Sequence, residues 1–215
     1  MKIIVIDAHS NDYEELAKIS CPVKADYCSQ HDYEFKICNI ETDFSRTPHW
    51  HKIKAIEQNI KKCDWLFYCD TDVVITNKSV KLEDIIDDKY DLICGPMPFE
   101  GQISTSSFLI RNCEWSYRFL DTWYKQAQFI DKPYYPHPDS DFYATGSYVK
   151  REGGTYFEQS AFAYLYDTDE SVRSRIKRIK SNLFLSYKPD NFLIHFPGGT
   201  PELKLKHMQI LMSKL

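Results

Sequence analysis

Two carboxylates, Asp70 and Asp72, come directly after an apolar run that begins at Trp65. Because side chains alternate along an extended chain, the two acids are expected on the same side. Carboxylates held together at the end of a buried strand repel each other and lose hydration, so they need a compensating cation. Oxygen ligands favour Mg²⁺ or Mn²⁺. The spacing therefore predicts a divalent metal site that could hold a diphosphate.

Two further segments carry residue types that could act together with these acids. His195 ends an apolar run and is followed by Gly198 and Gly199, so an imidazole ligand would stand beside backbone that can approach a phosphate. Glu158 and Gln159 form an acid–amide pair at the start of a predicted helix, where they could act on a sugar or acceptor hydroxyl. Structural alternatives stay open: His195 as a core histidine, and Glu158 as an acid that stabilises a helix N-terminus.

The turn from Asp7 to Tyr13 is the last candidate segment. It leads into a predicted helix whose first N–H groups are unpaired, and Tyr13 offers a flat ring on which a base could stack. An ordinary capped turn explains the same residues equally well.

The predicted elements would bring these segments to one edge of a sheet. Strands alternate with helices, which favours an α/β fold with a mainly parallel sheet and helices on both faces. In such open sheets, ligands bind beyond the carboxyl ends of the strands. The periodicity predicts strands at Lys2–Ile6, Glu34–Ile40, Asp91–Gly95, Ser107–Arg111, Leu183–Tyr187 and Phe192–Phe196, with helices at 11–20 (capped by Asn11 and Glu14), 23–31, 50–63, 113–128, 158–166 and from Thr200 onward.

Composition limits the class of protein. The 215 residues, 43% of them apolar, suit one domain with a sizeable core, and the net charge of −4 gives no basic field for nucleic acid. The cationic stretch Arg173–Lys180 is expected to be a solvated face. The seven cysteines show no Cys-x-x-Cys spacing, and the N-terminal apolar run is too short for a signal peptide or a membrane span. These features predict a soluble cytoplasmic protein with reduced thiols and no membrane span.

Residues 130–157 interrupt the pattern with prolines, glycines and many tyrosines. A stretch of this length and composition favours a functional loop over a disordered linker, because its aromatic rings need partners. It contains a second Asp-x-Asp, Asp139 with Asp141, but no apolar strand precedes it. We therefore interpret that pair as a loop feature rather than the metal site.

Five segments in order give the chain a family resemblance. It resembles nucleotide-sugar glycosyltransferases of the GT-A class, and most of all the family of plant xyloglucan xylosyltransferases and fungal α-galactosyl- and mannosyltransferases. The resemblance covers roughly residues 1 to 200 and is carried by Thr47–Ile53, Cys69–Asp72, Ser107–Ser116, Glu158–Ala161 and Ile194–Gly198.

The resemblance implies an activity and a set of roles. It implies a GT-A three-layer α/β/α sandwich with a mainly parallel mixed sheet, forming one domain over residues 1–215. The donor-binding part would be about 1–100 and the acceptor part about 101–200, with excision from a longer chain as an alternative. It implies transfer of a sugar from a UDP-sugar to a carbohydrate acceptor, with Mn²⁺ as cofactor and Mg²⁺ as the alternative. The implied metal ligands are Asp70, Asp72 and His195; the catalytic residues Glu158 and Gln159; and the donor-binding residues Ala8, His9, Tyr13, Lys52, Asp70, Thr71, Asp72, Gly198, Gly199 and Lys204.

Departures from the family pattern leave alternatives. Ser104–Ser107 stands where an Asn-Thr-Gly type turn is expected, and Phe157 with Glu158 replaces paired aspartates. Family enzymes retain anomeric configuration, whereas Glu158 could serve an inverting enzyme as the base. The rival from another class is a haloacid-dehalogenase-type phosphatase with Asp70 as nucleophile, because residues 70–74 fit its motif. That reading lacks the later acidic pair that the chemistry needs.

Overall fold

A computed structural model describes residues 1–39, 46–96, 103–130, 157–179, 181–184 and 191–215. Its strands are β1 (Ile3–His9), β2 (Glu34–Asn39), β3 (Trp65–Cys69), β4 (Val73–Ile75), β5 (Leu92–Pro96), β6 (Ile103–Arg111), β7 (Ile176–Arg178) and β8 (Leu193–His195). Its helices are α1 (Glu14–His31), α2 (His51–Ile60), α3 (Glu114–Tyr124), α4 (Phe157–Thr168), α5 (Glu170–Arg173), α6 (Ser181–Phe184) and α7 (Pro201–Met212). The predicted functional loop at 130–157 lies almost entirely outside the described residues.

Six of these strands form one sheet in the order β2-β1-β3-β6-β5-β7. β1 runs parallel to β2 and β3, and β5 runs parallel to β7. β6 runs antiparallel to both of its neighbours. The predicted mainly parallel mixed sheet is therefore confirmed.

Both faces of this sheet are covered, because the side chains of β1 alternate between two apolar cores. Ile4 and Ile6 pack into a cluster with Ile53 of α2, which also includes residues of α3 and α4. Ile3 and Val5 point the other way, into a cluster that contains Tyr27 and Cys28 of α1. The period-2 alternation of an apolar strand thus builds the expected three-layer α/β/α sandwich.

Helix α1 corrects the prediction of two helices separated near Pro22. It runs unbroken from Glu14 to His31 with Pro22 inside it. The buried face of α1 continues across the proline, from Leu16 before it to Tyr27 after it. Burial of that face outweighs the single backbone hydrogen bond that a proline removes. The predicted capping box is also wrong: the short 3₁₀ turn Asn11–Tyr13 leads into α1, and neither helix start has a side-chain cap.

A second, two-stranded sheet joins distant parts of the chain. β4 pairs antiparallel with β8, so Val73 stands opposite His195. The predicted strand at 183–187 is wrong where it is described, since Leu183 and Phe184 belong to α6. Phe184 packs against Phe67 of β3, so tertiary contacts decide its local conformation. The remainder of that predicted strand lies outside the described residues.

Helix α7 begins as its sequence indicates. Thr200 is the N-cap, its side chain accepts a hydrogen bond from the backbone N–H of Leu203, and Pro201 occupies the first helical position. Across the described residues, no helix is long and apolar enough to cross a membrane. All seven cysteines are free and five of them are buried, as reduced structural thiols are expected to be. The cytoplasmic location stays a prediction.

Candidate active site

The loop between β3 and β4 presents the two carboxylates. The Asp70 backbone N–H donates to the Ser106 carbonyl at 2.7 Å, and the Val73 N–H donates to the Asp70 carbonyl at 3.0 Å. The second bond closes a tight turn, so residues 70–72 are not extended as the sequence predicted. The turn nevertheless keeps Asp70 and Asp72 together, because it reverses the chain immediately after the first acid.

The three predicted metal ligands converge at this loop. Asp70, Asp72 and His195 each offer a ligand atom, and these atoms lie within 4.8 Å of one another. His195 Nε2 is 3.4 Å from Asp72 Oδ1. The other ring nitrogen, Nδ1, is buried without a hydrogen-bond partner among the described residues. One imidazole nitrogen and two carboxylates within this distance form a donor set that fits a divalent cation with mixed nitrogen and oxygen ligands.

The environments of the two acids move their pKa values in opposite directions. Burial would raise the pKa of Asp72, but the neighbouring His195 and Lys204 outweigh it and lower that pKa well below its usual value. For Asp70, burial and the charge of Asp72 raise the pKa, and the Lys52 ammonium offsets them only in part. Such a separation of two adjacent carboxyl groups is typical of functional sites.

Lys52 connects the loop that carries Asp70 and Asp72, the candidate metal-binding loop, to the start of α4. Its buried Nζ lies 3.1 Å from Asp70 Oδ1 and 3.0 Å from Glu158 Oε1. It also donates to the Thr105 carbonyl at 3.3 Å. Burial alone would lower the pKa of Lys52, but the charges of Asp70 and Glu158 outweigh burial and raise that pKa above its usual value. Lys52 therefore lies between two carboxylates, and its contact with a uridine stays a prediction.

Strand β6 holds the predicted catalytic pair. Thr105 Oγ1 donates to Glu158 Oε1 at 3.0 Å, and the Thr105 N–H donates to Gln159 Oε1 at 3.3 Å. Behind them, Trp123 Nε1 donates to the Glu158 carbonyl at 2.6 Å. The start of α4 is thus fixed against β6, with Glu158 joined to Asp70 through the Lys52 ammonium.

The predicted donor-binding residues of the C-terminal segment meet those that follow β1. Lys204 forms a buried ion pair with Asp72, and its Nζ lies 5.4 Å from the centroid of the Tyr13 ring. Gly198 and Gly199 have φ values of +67° and +74°, a conformation that favours glycine. The structure therefore assembles this segment around Asp72.

The remaining predicted residues lie at the ends of β1 and β3. Ala8, His9 and Thr71 are buried. His9 Nδ1 donates to Asp7 Oδ1 at 2.8 Å, and Thr71 Oγ1 donates to the same oxygen at 2.7 Å. Both side chains thus point to Asp7, which directly precedes Ala8, the first of the predicted donor-binding residues.

Sequence reasoning missed Lys24 of α1, which is fully buried. Its Nζ lies 2.5 Å from Asp7 Oδ2 and donates to the carbonyls of Cys69 and Asp70. The signal was present in the sequence, because Lys24 falls on the same helical face as Leu16 and Tyr27. Prediction of a helix break near Pro22 concealed that face.

Comparison with solved structures identifies the class of fold. A glycosyltransferase involved in glycosylation of the major capsid of PBCV-1 aligns with a TM-score of 0.71 and 15% identity, over 98% of this chain and 100% of the other. A Drosophila β-1,4-galactosyltransferase 7 variant, crystallised with manganese, UDP-Gal and xylobiose, aligns with a TM-score of 0.56 and 11% identity, over 92% of this chain and 72% of the other. The fold is that of GT-A glycosyltransferases.

Sequence comparison identifies the family. Residues 23–136 match the model described as "Protein of unknown function, DUF273", and residues 99–203 match the galactosyl transferase GMA12/MNN10 family. The chain thus belongs to the first of these families by the larger match and carries a domain of the second, as the resemblance implied. Galactomannan galactosyltransferase 1 of Cyamopsis tetragonoloba is 29% identical over 181 residues. That match covers 72% of this chain and 37% of the relative, so the chain spans little more than a third of the relative's length.

Proposed function

We propose that this chain is a metal-dependent glycosyltransferase domain that moves a sugar from a UDP-sugar to a hydroxyl group of a carbohydrate acceptor. The observation that carries the proposal is the convergence of Asp70, Asp72 and His195 at the carboxyl end of β3. Glu158 belongs to the same constellation, because the Lys52 ammonium bonds both it and Asp70. The family and fold matches support transferase chemistry and give no support to the phosphatase alternative.

The donor half of the reaction follows from the charges on this loop. A divalent cation held by Asp70, Asp72 and His195 would stabilise the negative charge that develops on the leaving diphosphate. We favour Mn²⁺ over Mg²⁺ because the set includes an imidazole nitrogen. The Lys204 ammonium adds a positive charge beside Asp72, where it would also attract the diphosphate.

Glu158 and Gln159 supply the groups that would face the anomeric carbon. Oε1 of Glu158 already accepts from both Thr105 and Lys52, so a proton from an acceptor hydroxyl would have to go to the other oxygen. This engagement favours a role for Glu158 in stabilising positive charge on the sugar, as retention by the family suggests. Inversion with Glu158 as base is the alternative, and the anomeric coupling constant of the product, read by NMR, decides between them.

The division of the domain is part of the same proposal. Residues of about 1–100 would bind the donor, since they carry β1, Lys52, Asp70 and Asp72. Residues of about 101–200 would serve the acceptor, although His195 and the glycines after it return to the donor side. The chain would act as one GT-A domain over residues 1–215.

Calorimetric titration of UDP with and without Mn²⁺ tests the donor site. We expect binding that needs Mn²⁺ and is lost in Asp72→Asn, while Asp87→Asn, the matched change at an acid that pairs with Lys177, binds as the wild type does. Metal-indifferent binding, or none, would contradict the proposal. A panel of UDP-sugars, assayed for released UDP, then identifies the donor.

The phosphatase alternative has its own assay. Hydrolysis of p-nitrophenyl phosphate that disappears in Asp70→Asn, together with a failure to bind UDP, would favour it over transferase chemistry.

A further inference from the structure

A fully buried ion pair lies directly behind the metal-binding loop. Lys24 has no exposed surface, and neither does Asp7. Charged groups are costly to bury unless they are paired and hydrogen-bonded, so the contacts of this pair show what compensates its two charges. Neither residue belongs to the predicted donor site, metal site or catalytic pair.

The lysine ammonium has one acceptor for each of its three protons. Nζ lies 2.5 Å from Asp7 Oδ2, 2.7 Å from the Asp70 carbonyl and 3.3 Å from the Cys69 carbonyl. An ammonium group has three donors and no acceptor, so this set saturates it. Two of the three acceptors are backbone atoms at the point where β3 ends and the loop begins. Lys24 therefore fixes the backbone that carries Asp70.

Asp7 holds the next residue of the loop. Its Oδ1 accepts from Thr71 Oγ1 at 2.7 Å, and Thr71 is the residue between the two metal-binding acids. The Asp70 carbonyl that Lys24 holds also accepts the Val73 N–H, the bond that closes the turn. The side chains of Lys24 and Asp7 thus accept or donate hydrogen bonds at three successive residues of one short loop, from Cys69 to Thr71.

The same region contains a set of residue types that could suggest a second metal site. Asp7, His9 and Cys21 offer ligand atoms within 4.8 Å of one another. Burial raises the pKa of Cys21 to about 12, which disfavours the thiolate that a metal requires. The Lys24 ammonium already neutralises Asp7. The cation of this cluster is therefore the lysine itself.

We infer that Lys24 and Asp7 are positioning residues, which hold the Cys69–Thr71 backbone so that the carboxylates of Asp70 and Asp72 converge on a metal ion. The metal ion in this inference rests on the proposed function. The positioning role rests only on the contacts of the loop. Groups that orient metal ligands from behind typically contribute about 10–100-fold to metal affinity.

Hydrogen exchange together with Mn²⁺ binding tests the inference. The variants are Lys24→Met and Lys24→Met/Asp7→Asn; the double variant removes both buried charges and so can fold where the single one does not. Thr71→Val is a milder change that removes one hydrogen bond. Lys177→Met on β7, which breaks the ion pair between Lys177 and Asp87, is the matched control.

We expect faster amide exchange in peptides covering residues 69–73 of the double variant, with β5 unchanged. Electron paramagnetic resonance of free Mn²⁺ measures the affinity of each protein for the ion. We expect that affinity to be about 10–100-fold weaker in the double variant and unchanged in Lys177→Met. Thr71→Val should show the same changes to a smaller extent.

The outcomes separate the two proposals. Unchanged exchange in the loop overturns the positioning role, and so does faster exchange with wild-type Mn²⁺ affinity. Faster exchange in a protein whose wild type binds no Mn²⁺ supports the positioning and overturns the proposed metal-dependent function.

Discussion

Lys24 and Lys52 approach the same loop from two helices, and they differ in what surrounds them. Lys24 is enclosed by one carboxylate and two backbone carbonyls. Lys52 lies between two carboxylates, and one of them, Asp70, keeps 24% of its side chain exposed. The first network is closed and satisfied, as a structural support must be. The second reaches the surface of the site, where its carboxylates can respond to a ligand.

The difference teaches that burial alone does not distinguish a lysine that holds backbone from one that pairs with the carboxylates of the proposed active site. Both side chains are buried and both pKa values are raised by nearby acids after burial has lowered them. What separates them is the identity of their acceptors. The Asp70 carbonyl is fixed by the backbone hydrogen bond that closes the turn, whereas a side-chain carboxylate can change rotamer.

The largest effect is expected from a substitution that breaks the closed network around Lys24. Lys24→Met leaves the Asp7 carboxylate buried without its cation, so we expect the free energy of unfolding to fall by about 3–5 kcal/mol. Lys24→Met/Asp7→Asn should recover most of that loss, because it removes both charges and keeps an acceptor for Thr71. Urea denaturation of both variants measures the change. Equal losses in the two variants would show that the charge pair is not what stabilises this region.

Substitution of Lys52, whose network reaches the surface of the site, should instead change the rate of the reaction. Lys52→Met leaves Asp70 and Glu158 without their shared ammonium, so we expect kcat to fall about 10²–10³-fold, or roughly 3–4 kcal/mol. Lys54→Met on the same helix breaks the ion pair with Glu57 and is the matched control. Assay of UDP release with the donor identified above measures both. A rate equal to that of the control would remove Lys52 from the mechanism.

A smaller effect concerns the cap that fixes the third lysine, Lys204. Thr200→Ala removes the side-chain acceptor at the start of α7, so stability should fall by about 1 kcal/mol. Because α7 carries Lys204 to Asp72, the affinity for UDP should also weaken slightly. Thr200→Ser keeps the hydroxyl and should behave as the wild type does. Thermal unfolding and UDP titration check both expectations.

The smallest effect is a pH dependence at the edge of the closed network. The hydrogen bond to Asp7 raises the pKa of His9 above 6.5, against the opposing effect of burial. A raised folded-state pKa contributes stability that is present below the unfolded-state value of 6.5 and is lost as pH rises through the folded-state value. Urea denaturation across this window should show that loss in the wild type and not in His9→Gln. His207→Gln, at an exposed histidine, should keep the wild-type profile; a flat wild-type profile would contradict the assignment.

Local patterns in the sequence were enough to predict several parts of the site. Asp70 and Asp72 stand out because two acids at a spacing of two follow an apolar run, and Thr200 with Pro201 marks a helix start by its own chemistry. These signals are local, since each depends on residues within one turn or strand. The sandwich with its mainly parallel sheet follows in the same way from the alternation of apolar segments.

Other parts were decided by contacts between distant segments. Pro22 indicates a break in α1, yet the buried face on both sides of it keeps the helix whole. Leu183 and Phe184 suit a strand but lie in a helix, where Phe184 packs on β3. In each case the free energy of packing exceeds a local preference, which is small for any single residue.

The sequence by itself therefore determined which residue types this protein has for the proposed binding of a metal and a diphosphate, and which kind of fold carries them. The tertiary structure alone decided how they meet. Pairing of β4 with β8 brings His195 to Asp72, and Lys24 reaches across from α1 to hold the loop from behind. The physical reason is that ligand convergence and burial of a charge are properties of segments far apart in the chain, and no local pattern records the distance between them.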